Sequence, residues 1–113
     1  RNVMLGQGAW GSLPDDTFAA RTRTSSAVSG QPTLFTPAGS AGTELVHVVL
    51  TRDVAGVRTL YVDGVAAGVD TLGGALDNWD PSYPLSIANI ADGSRPWSGI
   101  PRHSAEAWWW WSS

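Results

Sequence analysis

The sequence contains no cysteine and no lysine, and only 15% of its residues are charged. Without cysteine, disulfide scaffolds and thiolate metal sites are excluded, although export is not, because many secreted bacterial domains lack disulfides. Seven arginines against ten acidic residues give a formal net charge of −3, which argues against a nucleic-acid-binding domain with a basic face. No apolar run is long enough to span a membrane, and no secretion signal is visible.

The length of 113 residues leaves room for one domain with a modest core. The 13 glycines and 7 prolines favour short strands joined by frequent turns over helices. Because the chain begins at Arg1 and not at methionine, we expect it to be part of a longer gene product, with any signal upstream.

Strand signals dominate the first half of the chain. Residues 17–25 alternate, with Phe18, Ala20, Thr22 and Thr24 on one face and Arg21 and Arg23 on the other, which predicts a strand with one wet face. Weaker strands are predicted at residues 2–7 and 33–36.

The strongest signal is a meander between residues 45 and 71. Strands are predicted at 45–51, 58–62 and 65–71, joined by a tight turn at 53–56 and by a two-residue Asp63-Gly64 turn of type I′. In this meander Val46, Val48, Leu50, Leu60 and Val62 face one core, and His47 and Tyr61 lie on the opposite face.

A long polar loop at residues 73–84 follows, and further strands are predicted at 85–90 and 95–100. No stretch shows sustained helical periodicity. The prediction is therefore an all-β protein, an antiparallel sandwich.

Two segments resemble a known family. Residues 45–53 (LVHVVLTRD) and 59–64 (TLYVDG) resemble the laminin-G-like jelly rolls of the concanavalin A-like lectin/glucanase superfamily, which run W-H-H-V-A-x-T-x-D, a turn, then L-x-L-Y-V-D-G. Leu45 stands where Trp is common, and His47 falls on the second His. Residues 85–89 and 92–99 resemble the next strand, turn and W-x-G motif, so the resemblance covers about residues 44–100 and, more faintly, 2–36.

The resemblance implies a partial jelly roll at residues 1–100, incomplete at both ends and marginally stable alone. The strand that follows W-S-G in the family is replaced here by an atypical tail, residues 101–113, with four consecutive tryptophans. We expect this tail to arise from a frameshift or a truncated gene; an aromatic contact platform is the alternative.

Catalytic motifs are missing from the sequence. Glucanases of the superfamily use E-x-D-x-x-E, whereas Glu44 and Glu106 stand alone and far apart. The segment Gly39-Ser40-Ala41-Gly42 lacks the first glycine of G-x-S-x-G. His47 and His103 have no partner at a characteristic spacing. We therefore predict that the chain is not an enzyme.

Candidate ligand-binding residues cluster in the acidic, aromatic loops. Sugar recognition needs an aromatic face beside polar groups that reach the hydroxyls. The candidates are Trp79, Tyr83, Asp77, Asp80, Arg95 and Trp97. Packing on the sandwich is favoured over ligand contact for Trp97, because its position in the family is structural, and the two roles are evenly balanced for Trp79.

No cofactor is expected to be required, but the resemblance implies that the loops could hold one Ca²⁺ through oxygen ligands. The weak candidates are Asp77, Asn78, Asp80, Asn89 and Asp92; solvated turn residues are the alternative.

The predicted function is a non-catalytic binding module in an extracellular or cell-surface protein, bacterial by its family resemblance. Its expected partners are a carbohydrate or an extracellular protein and the other domains of the parent chain, with no nucleic acid and no membrane span. A structural spacer or capping jelly roll and, less favoured, a remnant of a glycoside hydrolase are the alternatives. Fold resemblance alone does not name a ligand.

Overall fold

The computed structural model describes residues 2–7 and 13–83. These residues form six strands in two three-stranded antiparallel sheets, and no helix occurs among them. The strands are β1 (Val3–Gln7), β2 (Phe18–Thr22), β3 (Leu34–Phe35), β4 (Val48–Arg52), β5 (Val57–Val62) and β6 (Val65–Thr71). The first sheet has the order β1-β2-β3 and the second the order β4-β5-β6. The prediction of an all-β antiparallel sandwich is confirmed.

The central strand of the first sheet is β2, and its alternation follows the sequence pattern. Phe18, Ala20 and Thr22 are buried, whereas Arg21 is only half-buried. The strand is shorter than the predicted 17–25, because Thr24 bridges back to Ala27 in a tight turn instead of continuing along β1.

Local turn chemistry builds the second sheet. Asp63 has a φ of 50° and Gly64 a φ of 80°, so both central residues of the predicted type I′ turn lie in the left-handed region. At the other hairpin the Asp53 carboxylate accepts hydrogen bonds from the Ala55 and Val57 N–H groups, at 2.9 and 3.0 Å. The predicted meander is confirmed, with β6 at its predicted bounds.

The start of β4 corrects the prediction of a strand at 45–51. The strand begins at Val48, and Leu45 is 81% exposed. Val48 pairs with Val62, the last residue of β5. Residues before Val48 therefore run past the end of β5, where the His47 carbonyl accepts a bond from the Asp63 N–H and the His47 N–H donates to the Asp63 carboxylate.

The core lies between the two sheets. Ala20, Leu34 and Leu60 form its buried centre, with Leu5, Val48 and Leu50 packed against them. Gly68 on β6 allows the sheets to approach closely here, because a Cβ at this position would lie 2.7 Å from the Phe35 carbonyl oxygen.

A buried ion pair also lies on the inner face of the second sheet. Arg58 is 0% exposed and shares that face with Leu60, two residues along β5. Its guanidinium holds both carboxylate oxygens of Asp70, with Nε donating at 2.8 Å, and also donates to the Pro32 carbonyl at 2.9 Å. Arg58 thus connects β6 to the segment that precedes β3, a role that the sequence analysis missed.

The strands predicted at 85–90 and 95–100 and the tail at 101–113 lie outside the described residues. Within residues 2–7 and 13–83, no helix is long and apolar enough to cross a membrane.

Candidate ligand-binding loop

Four of the six predicted binding residues lie on the segment of residues 73–83, here called the 73–83 loop, which is fastened to the turn after β2. Thr24 donates its hydroxyl to the Gly73 carbonyl at 2.8 Å. The Ser25 N–H donates to the Ala75 carbonyl, and the Ala75 N–H donates to the Ser25 hydroxyl oxygen, both at 2.9 Å. Gly74 fits between them with a φ of 92°, where a Cβ would meet the Ser26 nitrogen at 2.7 Å.

The second sheet also fastens this loop at its base. Arg52, the last residue of β4, donates to the Leu72 and Gly74 carbonyls at 3.0 and 2.8 Å. The loop is therefore tied to both sheets.

The far end of the loop is anchored to Asn2 and to the two residues that directly follow β2. The Asn2 side chain bonds twice to the backbone of Asp80. Its amide nitrogen donates to the Asp80 carbonyl, and its amide oxygen accepts from the Asp80 N–H, both at 2.8 Å. The Trp79 indole N–H donates to the Arg23 carbonyl at 2.7 Å, and the Asn78 amide donates to the Thr24 carbonyl at 3.0 Å.

These anchors divide the predicted ligand-binding residues into two groups. Asp77 and Tyr83 are exposed, whereas Trp79 and Asp80 are half-buried. The Trp79 N–H is already used inside the protein. Arg95 and Trp97 lie outside the described residues.

The residues that hold the loop, Asn2, Thr24 and Arg52, were not predicted. The bond between Asn2 and Asp80 joins residues 78 positions apart, and the bond from Thr24 spans 49. Polar residues at such separations show no periodicity, so no signal in one sequence could have identified them.

Two hydrogen bonds perturb the titration of the Asp80 carboxylate. The Ser82 hydroxyl and N–H both donate to its Oδ1, at 2.6 and 2.9 Å. These bonds hold the pKa of Asp80 below its ordinary value of 3.8. The loop therefore presents a carboxylate at neutral pH.

We expect Ser82→Ala to raise the pKa of Asp80, because the hydroxyl bond is the largest cause of the lowering. A depressed carboxyl pKa stabilises the fold above the ordinary pKa, and this stabilisation is lost as the pH falls through the folded-state value. Titration of the Asp80 carboxyl carbon by NMR measures the shift, with Ser40→Ala, a substitution in a different loop, as control. An Asp80 pKa that is unchanged in Ser82→Ala contradicts the assignment.

Three of the five predicted calcium ligands, Asp77, Asn78 and Asp80, belong to this loop. The Asn78 Oδ1 is buried without a hydrogen-bond donor, and an amide oxygen is a ligand that Ca²⁺ accepts. However, Asp80 Oδ1 already accepts two bonds, and no group of three His, Cys, Asp or Glu side chains suited to a metal occurs in the described ranges. Asn89 and Asp92 lie outside those ranges, so calcium binding stays a prediction.

Ser40, Glu44 and His47, the residues that were compared with catalytic motifs, lie in loops outside the strands. Glu44 and His47 are exposed. The His47 N–H donates to the Asp63 carboxylate at 2.9 Å, and the Ser40 hydroxyl donates to the Pro37 carbonyl at 2.6 Å.

Comparison with known proteins identifies the family. The chain matches a laminin G family profile, described as concanavalin A-like lectin/glucanases superfamily, over residues 4–100. No curated protein and no solved structure matches the chain. The profile covers both sheets and the 73–83 loop, and it agrees with the antiparallel β architecture. The chain therefore belongs to the laminin-G-like branch of the concanavalin A-like lectin/glucanase superfamily.

Proposed function

We propose that this domain is a non-catalytic binding module of an extracellular protein, and that it takes a carbohydrate ligand at the 73–83 loop. The observation that carries the proposal is the anchoring of this loop. Its backbone is bonded to β4, to the turn after β2 and to Asn2, while Asp77 and Tyr83 stay exposed.

Anchoring matters because a loop that is ordered before binding loses little conformational entropy when the ligand arrives. The exposed Tyr83 ring offers a face for the apolar side of a sugar, and the Asp77 and Asp80 carboxylates can accept bonds from its hydroxyls. The same geometry suits a polar patch of an extracellular protein, which is the alternative ligand. Family membership supports a binding domain in an extracellular setting without naming what is bound.

We expect Tyr83→Ala and Asp77→Ala each to weaken glycan binding roughly tenfold or more, since truncating a residue at the centre of a contact typically costs over about 1 kcal/mol. A glycan array identifies the ligand, and titration calorimetry measures the affinities. Asp15→Ala is the matched control, because Asp15 is an exposed carboxylate in a different loop.

Three outcomes separate the alternatives. Equal affinity in all variants contradicts a loop site. Binding of an extracellular protein but of no glycan favours the alternative ligand, with the same variants locating it. A chain that binds neither acts as a spacer.

A further inference from the structure

The peptide bond between Asp80 and Pro81 is chemically unusual within this chain. Proline follows aspartate at this one position of the sequence. The proline nitrogen carries no hydrogen in the chain, and as an alkylated nitrogen it is a more basic leaving group than an ordinary peptide nitrogen. An aspartate carboxylate can reach the carbonyl carbon of its own residue, because the ring that results has only five members. The sequence therefore makes this bond the one most prone to internal cleavage.

The structure places two hydrogen-bond donors on the carbonyl oxygen of this bond. The Asn2 side-chain amide donates to the Asp80 carbonyl at 2.8 Å, and the Tyr83 N–H donates to it at 3.3 Å. Two N–H donors on one carbonyl oxygen stabilise the negative charge that develops there when the carbonyl carbon is attacked. The Tyr83 bond is the ordinary closing bond of a turn over residues 80–83. The Asn2 bond is not part of that turn, because it comes from 78 positions away.

The side chain of Asp80 is restrained at the same place. The Ser82 hydroxyl and N–H both donate to its Oδ1, at 2.6 and 2.9 Å. Among the described residues no donor bonds to Oδ2, so the lone pairs of this oxygen are available for attack. Pro81 is exposed, so water can reach the proline nitrogen. A nucleophile, two donors and access for water therefore meet at one peptide bond.

We propose that the bond between Asp80 and Pro81 is a self-cleavage site, with the Asp80 carboxylate as nucleophile. A lone pair of Oδ2 forms a bond to the Asp80 carbonyl carbon, and the carbonyl π electrons move to the oxygen that Asn2 and Tyr83 hold. The carbon–nitrogen bond then breaks, and the Pro81 nitrogen leaves with a proton from solvent. Water opens the resulting cyclic anhydride to the two carboxylates of Asp80. One water is consumed, and nothing is oxidised or reduced.

Cleavage at this bond divides the 73–83 loop. It separates residues 81–113 from residues 1–80, so that Tyr83 is no longer joined covalently to Asp77 and Asp80. The reaction takes place once in each chain and needs no external substrate, so it is distinct from turnover of a glycan and does not depend on the proposed ligand. The expected consequence is the irreversible loss of any contact that needs both sides of the cut.

The test follows the intact mass of the folded chain over several days, in the most acidic buffer in which circular dichroism shows native sheet. Acid supplies the proton for the departing nitrogen. We expect fragments of residues 1–80 and 81–113, whose summed mass exceeds that of the chain by one water. Asn2→Ala removes the amide donor and should slow cleavage roughly tenfold or more. Asn2→Asp keeps an oxygen that can accept from the Asp80 N–H but lacks the donor, and it should slow cleavage similarly.

The matched control is Gln7→Ala. The Gln7 amide donates to the Asp15 carbonyl at 2.7 Å, as Asn2 does to Asp80, but no proline follows Asp15. This variant should cleave at the normal rate, and no cut is expected after Asp15. Asp80→Glu keeps the charge but enlarges the ring of the anhydride, so it should abolish cleavage. Circular dichroism of each variant checks that the fold is retained.

Each result supports or overturns the inference. Cleavage that is faster in the folded chain than in guanidinium chloride at the same pH, and slower in both Asn2 variants, supports it. Equal or slower cleavage in the folded chain overturns it, because the bond then has only the lability of any unfolded Asp-Pro sequence. Slowing in Asn2→Ala alone also overturns it, since Asn2 then acts by anchoring the loop and not as a donor. Absence of the two fragments overturns it as well, and none of these results alters the test of glycan binding.

Discussion

Asp70→Ala should lower the free energy of unfolding by about 3–5 kcal/mol, because removal of one partner leaves the other charge buried and unpaired. Arg58 is 0% exposed and Asp70 is 26% exposed, so the charge that loses its partner is the more deeply buried of the two. The Arg58 Nη1 already lacks a hydrogen-bond acceptor, so without Asp70 the only hydrogen bond that the described residues still give the guanidinium is the one to the Pro32 carbonyl.

Two further variants separate the charge from the hydrogen bonds. Asp70→Asn keeps one acceptor and should be less destabilising than Asp70→Ala. In Arg58→Met combined with Asp70→Ala, no charge remains buried, so part of the lost stability should return. Urea denaturation measures all three. A loss below about 1 kcal/mol for Asp70→Ala would mean that the pair behaves like an exposed surface salt bridge.

Leu60→Ala should destabilise the fold by about 2–5 kcal/mol, the range for truncating a buried leucine. Leu60 is 0% exposed and packs with Ala20 and Leu34 where the two sheets meet. The cavity would open at the centre of this small core, and the β-sheet backbone around it has little freedom to collapse.

The matched control for Leu60 is Val54→Ala, in the turn between β4 and β5, where the side chain is 93% exposed. Its effect should stay within about 0.5 kcal/mol of zero. Leu60→Met, which conserves volume, should cost less than about 1.5 kcal/mol. Equal stability of Leu60→Ala and Val54→Ala would show that the sheets do not pack through Leu60.

The meander of β4, β5 and β6 could be predicted from sequence because its turns are specified locally. Asp63 and Gly64 accept the positive φ values of a type I′ turn, and Asp53 caps the other hairpin with its own side chain. The start of β4 could not be predicted, because the β-branched run from Leu45 gives no sign of where its partner strand ends.

The burial of Arg58 was missed for a different reason. Alternation places Arg58 on the inner face, but a two-residue turn at Asp63-Gly64 would pair it with Val69. A bulge near Leu60 and Tyr61 shifts the register by one residue, and this shift brings Asp70 opposite Arg58. No turn signal in the sequence marks that bulge.

For the candidate binding loop, composition suggested the segment but not its organisation. Aromatic and acidic residues marked residues 73–83, whereas the division into anchors and exposed groups depends on contacts with Asn2 and Arg23 far away in sequence. Trp79 was equally compatible with packing or with ligand contact, and its indole N–H bonds to the protein backbone. Asp77 and Tyr83 therefore become the more informative residues to change.

The central claim is that this domain holds a glycan without altering it. The most direct measurement passes a glycan mixture over the immobilised chain, elutes the retained fraction and determines its chain lengths by mass spectrometry. We predict that a distinct glycan fraction is retained and recovered at its original length. Recovery of shortened products would contradict the non-catalytic assignment and indicate a glycoside hydrolase, and retention of no glycan would contradict the carbohydrate-binding function.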